Sequence, residues 1–314
     1  MAEKIATREA YGNALAEFGD KYDFVVLDAD LAAATKTGVF KKKFPERFFD
    51  CGIAEGNMMT VAAGIATTGK TVFASTFAMF AAGRAFEQVR NSIAYPHLNV
   101  KIGATHAGIT VGEDGATHQC LEDIGVMRTI PGMAIVNPAD AVEARAAVEW
   151  AINYNGPVYL RFGRLAVPVI FDGADYKFEF GKNVRLREGN DLTIMASGTT
   201  VSIALEAADL LAAEGISARV TNVHTIKPLD TADILASAAE TGAIVTVEEH
   251  NIIGGLGSAV AETVSSARPV PVVRVGTEDV FGRSGKVPAL LEAYGLTPKN
   301  IAAKAKVALA MKNN

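Results

Sequence analysis

The feature that most limits the folds open to this chain is an alternation, run through twice, of short β-rich runs with longer helical stretches. The first round contains the runs DFVVLDAD, FFDCGI, TVFAST, VKIGATH, MAIVN and PVYLRF. Between them lie EAYGNALAEF, AEGNMMTVAAGIATTG, AAGRAFEQVRNSIAY and DAVEARAAVEWAINY, with Thr7 placed to cap the first helix and Gly69 to close the second. Strands joined by helical crossovers specify parallel pairing, since only antiparallel neighbours can be linked by a tight turn. The rhythm breaks at AVPVIFDGADYKFEFGKNVRLREGN, which carries prolines and glycines and no sustained period. It resumes with DLTIMAS, SIALEAADLLAAEG, SARVTNV, TADILASAAETG, AIVTVEE and VPVVRV. The expected architecture is α/β: two domains, each a mostly parallel sheet flanked by helices, over 1–168 and 191–314, with a linker at 169–190.

A composition of 49% hydrophobic and 21% charged residues supplies material for cores of that size. The net charge of -5 and a pI near 5.6 leave no basic footprint for nucleic acid or an anionic membrane. The stretch MAEKIATREA lacks the apolar core of a secretory signal, and no run approaches the roughly 18 apolar residues of a membrane span. A cytoplasmic protein is the expectation. Cys51 and Cys120 make neither a disulfide framework nor a zinc site and read as small buried residues.

Open parallel sheets bind ligands beyond the carboxyl ends of their strands. VLDAD, FDCGIAEG, ASTF, ATH and YLRFGR all place polar residues at such ends. Glu55 opens a helix of small and apolar residues. It reads either as a first-turn carboxylate favoured by the helix dipole or as an acid in an apolar pocket, with a raised pKa and a task in proton transfer. Phe77 and Phe80 read as core aromatics or as walls for a flat ligand ring. GEDGATHQ, residues 112–119, is either a surface turn or an active-site loop; it follows the strand KIGATH, so His106 and His118 bracket it. IIGGLGSAV lacks the third glycine of a dinucleotide fingerprint, because Val260 stands there, and its glycines read as devices for close helix–strand packing. Zinc-ligand and GxSxG patterns are absent from the sequence.

Together, ATREAYGNAL, DADL, CGIAEGN, STFAMFAAGRAFEQVRNSIAY, ATHAGITVGEDGATHQCLED, VNPAD, IKPLD and VEEHNIIGGLGSAV resemble the transketolase family of thiamine-diphosphate enzymes, in order and along nearly the whole chain. The resemblance implies a pyrimidine-binding domain followed by the family's carboxy-terminal domain. It gives Glu55 the role of the carboxyl that bonds the cofactor's pyrimidine nitrogen and favours its imino tautomer. Phe80 and Phe77 become the aromatics against the pyrimidine, and Asp30 an acid near the cofactor. Asp114 would accept a hydrogen bond from a sugar hydroxyl, and His118 would move protons at the donor carbonyl. His106, Arg8 and Arg161 match positions that bind the substrate's distal phosphate. After DADL the family continues with a phosphate-touching hydroxyl residue; here AAATKT leaves Thr35 or Lys36 as substitutes, and Arg164 as a further cation.

A full-length transketolase also carries an amino-terminal domain whose GDG motif and downstream asparagine hold the diphosphate and its metal. GDG does not occur in this sequence. The expectation is therefore the carboxy-terminal subunit of a split transketolase, self-associating and joined to a separate amino-terminal chain in an α2β2 assembly. That partner would bind Mg2+ or Ca2+. The β subunit of a 2-oxo acid dehydrogenase, a deoxyxylulose-phosphate synthase-like enzyme and a non-catalytic assembly partner are the alternatives. The sugar is left open: pentose and hexose phosphates, a branched sugar phosphate or a sulfonated analogue.

Overall fold

The computed structural model describes residues 3–173 and 175–313, so Met1, Ala2, Ala174 and Asn314 of the expected ranges lie outside the described residues. The strands of the first half are β1 (Lys4–Ala6), β2 (Phe24–Asp28), β3 (Phe48–Asp50), β4 (Thr71–Phe77), β5 (Val100–Thr105), β6 (Ala134–Val136), β7 (Val158–Arg161) and β8 (Ala166–Pro168). Those of the second are β9 (Val184–Arg187), β10 (Leu192–Ala196), β11 (Ala218–Asn222), β12 (Thr225–Lys227), β13 (Ile244–Asn251) and β14 (Val272–Thr277). Every β-rich run in the sequence forms a strand.

The first sheet has the order β12-β6-β7-β5-β4-β2-β3. Its six strands from β6 to β3 are parallel. The seventh, β12, was not expected: it comes from beyond the linker and pairs antiparallel with β6. The second sheet, β14-β13-β10-β11-β9, is parallel except for β9 on its edge. Because β9 arises inside 169–190, the end of the expected linker belongs to the second sheet. All residues of β5 and β10 are buried, as expected of parallel strands covered on both faces by helices. One core cluster unites Met58, Ile102 and Ile135 of the first half with Met195, Val223 and Ile226 of the second.

The connecting stretch is strapped down by one helix start. Asp140 caps the helix Ala141–Asn153 by accepting the Glu143 amide at 2.9 Å, and its other oxygen takes the amides of Ile170 and Phe171. Glu143 in turn accepts the Ala139 amide, the Asn222 side chain and the Tyr176 hydroxyl. Thr7 does not cap. The helix Thr7–Phe18 begins at Thr7 itself, with Ala6 before it, and the threonine hydroxyl accepts the Gly163 amide at 2.8 Å.

The stretch after β4 is not the uniform helix its sequence suggests. Two π-helical segments, Phe80–Arg84 and Val89–Ala94, flank one short α turn at Phe86–Gln88. Such widened turns gather at functional sites. The glycine-rich IIGGLGSAV opens the helix Leu256–Ala267, whose first amides, from Leu256 and Gly257, donate to the buried Glu248 carboxylate at 2.6 and 2.8 Å. A Cβ on Gly255 would lie 2.0 Å from that carboxylate, so the glycine permits the contact. The helix terminus that would have held a dinucleotide phosphate is filled by the chain's own acid.

Candidate active site

Parallel strands end on one edge, so β2, β3, β4, β5 and β7 deliver their following residues to a common place. A cleft of about 840 Å³ opens there, lined among others by Phe80, Arg84, Thr117, Gln119 and Phe281. Glu55 begins the helix Glu55–Ala66, one short turn past β3, and is 1% exposed. Its partner is Arg84, whose Nη1 donates to Oε2 at 2.9 Å. Arg84 also lies over the half-buried Phe80 ring, 4.7 Å from its centroid. The Glu55 carboxylate is therefore linked to the Phe80 ring through a cation that is itself half in solvent.

Phe77 ends β4 and stacks on Phe80 at 5.8 Å on one side and on His106 at 3.8 Å on the other. His118 meets both phenylalanines edge-on, at 6.1 and 5.5 Å. Four of the residues singled out in the sequence thus form one aromatic cluster. Phe77 is buried and serves as its floor; Phe80 is half-buried at the cleft.

His106 follows β5 in a left-handed backbone conformation, φ 56°, which turns its ring off the strand line. Arginine can only donate, so the 2.9 Å contact from Arg8 Nη1 makes His106 Nε2 an acceptor and puts the proton on Nδ1, which bonds the Thr105 hydroxyl. Burial first, then the nearby charges of Arg8, Arg164, His118 and Lys36, push its pKa down to about 3. His106 is a neutral imidazole that orients Arg8, which differs from its expected part as a third donor to phosphate. Arg8 also donates to the Ala34 carbonyl, and feels Arg164 as a like charge and Glu9 and Asp114 as opposite ones.

Of the two substitutes for the missing hydroxyl, Thr35 is buried and donates to Asp28 at 2.7 Å. Lys36 is half-buried beside it, with Nζ 3.4 Å from Glu9. Asp30 is exposed at the end of β2, its amide donating to Asp50. Asp114 is exposed at the end of the 3₁₀ turn Ile109–Asp114. Gln119 holds that turn by donating to the carbonyls of Ile109, Gly112 and Arg283.

Arg161 departs from its expected role. The residue is 3% exposed, and its guanidinium forks onto Asp123 at 2.8 and 3.1 Å and donates to the Glu249 carbonyl. Burial pushes Asp123 up, but Arg161 outweighs it and holds the carboxyl below its usual range. The guanidinium is committed to an interior acid, and Arg164 stands in its place beside Arg8 and His106. Arg164 donates to the Val111 carbonyl and lines a smaller pocket with Thr110, Gly112 and Lys286. Arg84, Asp123 and Glu249 lie within the quoted motifs, but nothing in their spacing singled them out as individual residues. Among the described residues, no three His, Cys, Asp or Glu side chains come together as a metal-ligand group.

Cys51 is half-buried and Cys120 buried, both as free thiols. Among the described residues, no helix is long and apolar enough to cross a membrane.

Two family models match: "Transketolase, pyrimidine binding domain" over residues 3–169 and "Transketolase, C-terminal domain" over 181–301. The chain is 51% identical to a Methanocaldococcus jannaschii protein described as a transketolase C-terminal section, covering 94% of this chain and 93% of that one. It is 45% identical to a 6-deoxy-6-sulfo-D-fructose transketolase subunit of a Clostridium species, over 98% and 95% of the two chains. A solved structure described as "Split gene transketolase, inactive beta4 tetramer" superposes with a TM-score of 0.91 at 54% identity, covering 99% of this chain and all of that one.

Proposed function

Because this chain belongs to the transketolase family, as both of its domain matches show, we propose that it is the carboxy-terminal subunit of a split thiamine-diphosphate-dependent transketolase. It would move a two-carbon ketol unit from a ketose to an aldose. The buried Glu55 carboxylate, linked through Arg84 to the half-buried ring of Phe80, supports this most directly. A flat nitrogen heterocycle needs that pair: an aromatic face to lie on and a carboxyl to share a proton with its ring nitrogen. The residues present fit the pyrimidine end of thiamine diphosphate.

When bound, that cofactor supplies the nucleophilic carbon on which the two-carbon unit travels. Glu55 shares a proton with the ring nitrogen and sets the ring's tautomer. Phe80 and Phe77 fix its plane, and Asp30 stands at the cofactor side. His118 moves a proton at the sugar's carbonyl oxygen, and Asp114 accepts from a sugar hydroxyl. Arg8, Arg164 and Lys36, with His106 orienting Arg8, make a cationic rim for an anionic group on the far end of the sugar. A sugar phosphate suits that rim, and so does a sulfonated sugar of the kind named for the Clostridium relative. The diphosphate and a Mg2+ or Ca2+ ion fall to a separate amino-terminal subunit carrying GDG, in an α2β2 complex within the cytoplasm. The similar tetramer, a β-only assembly described as inactive, is in keeping with that division.

Mixing tests the proposal. The purified chain alone should show no ketol transfer and weak thiamine-diphosphate binding, and adding the amino-terminal subunit should restore both. Robust turnover by the partner-free chain would overturn it.

A further inference from the structure

Glu249 lies near the carboxyl end of β13 in the second sheet and is 2% exposed. Its carboxylate reaches across to the first domain. Oε1 accepts the backbone N–H of Thr110 at 2.5 Å, and Oε2 accepts the Thr199 hydroxyl at 2.5 Å. The approach is built from both sides. Gly108 has φ 83°, and a Cβ there would stand 2.3 Å from the Glu249 carboxyl carbon. Any side chain at 108 would displace the acid. The Glu249 carbonyl is held in turn by Arg161 at 2.9 Å, which leaves the acid little room to shift.

Thr110 lies in the turn Ile109–Asp114, and the segment leads directly into His118. Gln119 fixes the middle of the turn through carbonyls. The Thr110 amide, near the start of the turn, is fixed by Glu249. We propose that Glu249 is a positioning residue for the sugar: without touching substrate, it sets the height of the turn that presents Asp114 and His118 to the cleft. The second domain thereby takes part in substrate binding through a single carboxylate. This rests on reading residues 112–119 as the sugar loop.

The test uses the complex reconstituted with its amino-terminal subunit. Glu249→Ala should raise the donor KM by about tenfold or more, while half-saturation by thiamine diphosphate stays within about twofold. Glu249→Gln keeps an acceptor oxygen for Thr110 and should return the donor KM to within about threefold of the parent. An unchanged KM in the alanine variant, or no rescue by glutamine, would overturn the proposal. Should the alanine variant fail to fold, Thr199→Val decides: it frees one carboxylate oxygen and should raise the donor KM by about two- to fivefold, and no change would count against the clamp. If the parent complex itself shows no ketol transfer, the function proposed above is refuted and the clamp is judged by hydrogen exchange. The Thr110 amide should then exchange faster in Glu249→Ala and slow again in Glu249→Gln; equal rates in all three proteins would remove Glu249 from this role.

Discussion

Two buried carboxylates at the same edge of the first sheet each hold an arginine, and they are not alike. Asp123 is closed in: its side chain is 0% exposed and that of Arg161 4%, two guanidinium bonds run between them, and the Tyr159 hydroxyl donates a third at 2.9 Å. Glu55 is equally buried at 1%, but its partner Arg84 is 53% exposed and gives it one bond. A carboxylate has about four acceptor sites. Asp123 has three of them engaged by interior donors, whereas Glu55, joined to the cleft-lining Arg84 by one bond, has acceptor capacity to spare. Burial alone does not mark a functional acid. Burial with an incomplete set of partners does, and the exposure of the partner separates the two cases.

The largest effect that could break this contrast is on Glu55. In the reconstituted complex, Glu55→Gln should lower ketol transfer by about 10²–10⁴, the range of a lost acid–base function. Chemical denaturation of the same variant should show a change of about 0–1 kcal/mol, since a pair with a solvated arginine contributes little. Arg161→Ala should behave in the opposite way: it strands a buried carboxylate and should cost about 3–5 kcal/mol of stability. A stable Arg161→Ala protein with lost phosphate binding would put Arg161 back in the substrate site.

Arg164→Ala sharpens the comparison at the rim. The KM for phosphorylated substrates should rise by about one to two decades, with the midpoint of unfolding unmoved. The last effect concerns pH. His106 is held neutral down to about 3, against 6.5 for an ordinary histidine. Between those values the unfolded chain takes up a proton that the folded chain refuses, so stability should fall as pH falls from 6.5 towards 3. His224, pushed down by burial to about 4, acts in the same direction. The stability difference between His106→Gln and the parent, measured by unfolding curves across that window, should change with pH if His106 contributes. A constant difference would dismiss it.

The alternation of apolar runs was legible because burial on both faces of a parallel strand leaves a continuous hydrophobic stretch, as in β5 and β10. The clustering of Glu55, Phe77, Phe80, His106 and His118 at one edge was legible for a related reason: parallel strands end together. Which arginine around the end of β7 turns inward was not. Arg161 and Arg164 differ only in what they meet, and Asp123 is a long-range partner whose pairing the sequence does not disclose. Thr35 and Lys36 were equally inseparable until the buried Asp28 was seen to take the threonine. The π-helical widening at Phe80–Arg84 was hidden too, since its residues are ordinary helix formers apart from Gly83.

The strand β12 has a consequence for how the chain must be made. Until Thr225–Lys227 has left the ribosome, β6 has no neighbour on its outer side. An unpaired strand edge invites pairing with another chain, and nascent domains are vulnerable to such misassembly. The amino-terminal half is therefore not a unit that can be finished early and set aside. A truncation anywhere in 169–190 would leave a sheet short of its last strand, and synthesis of this subunit should depend on shielding that edge while the following segment is translated.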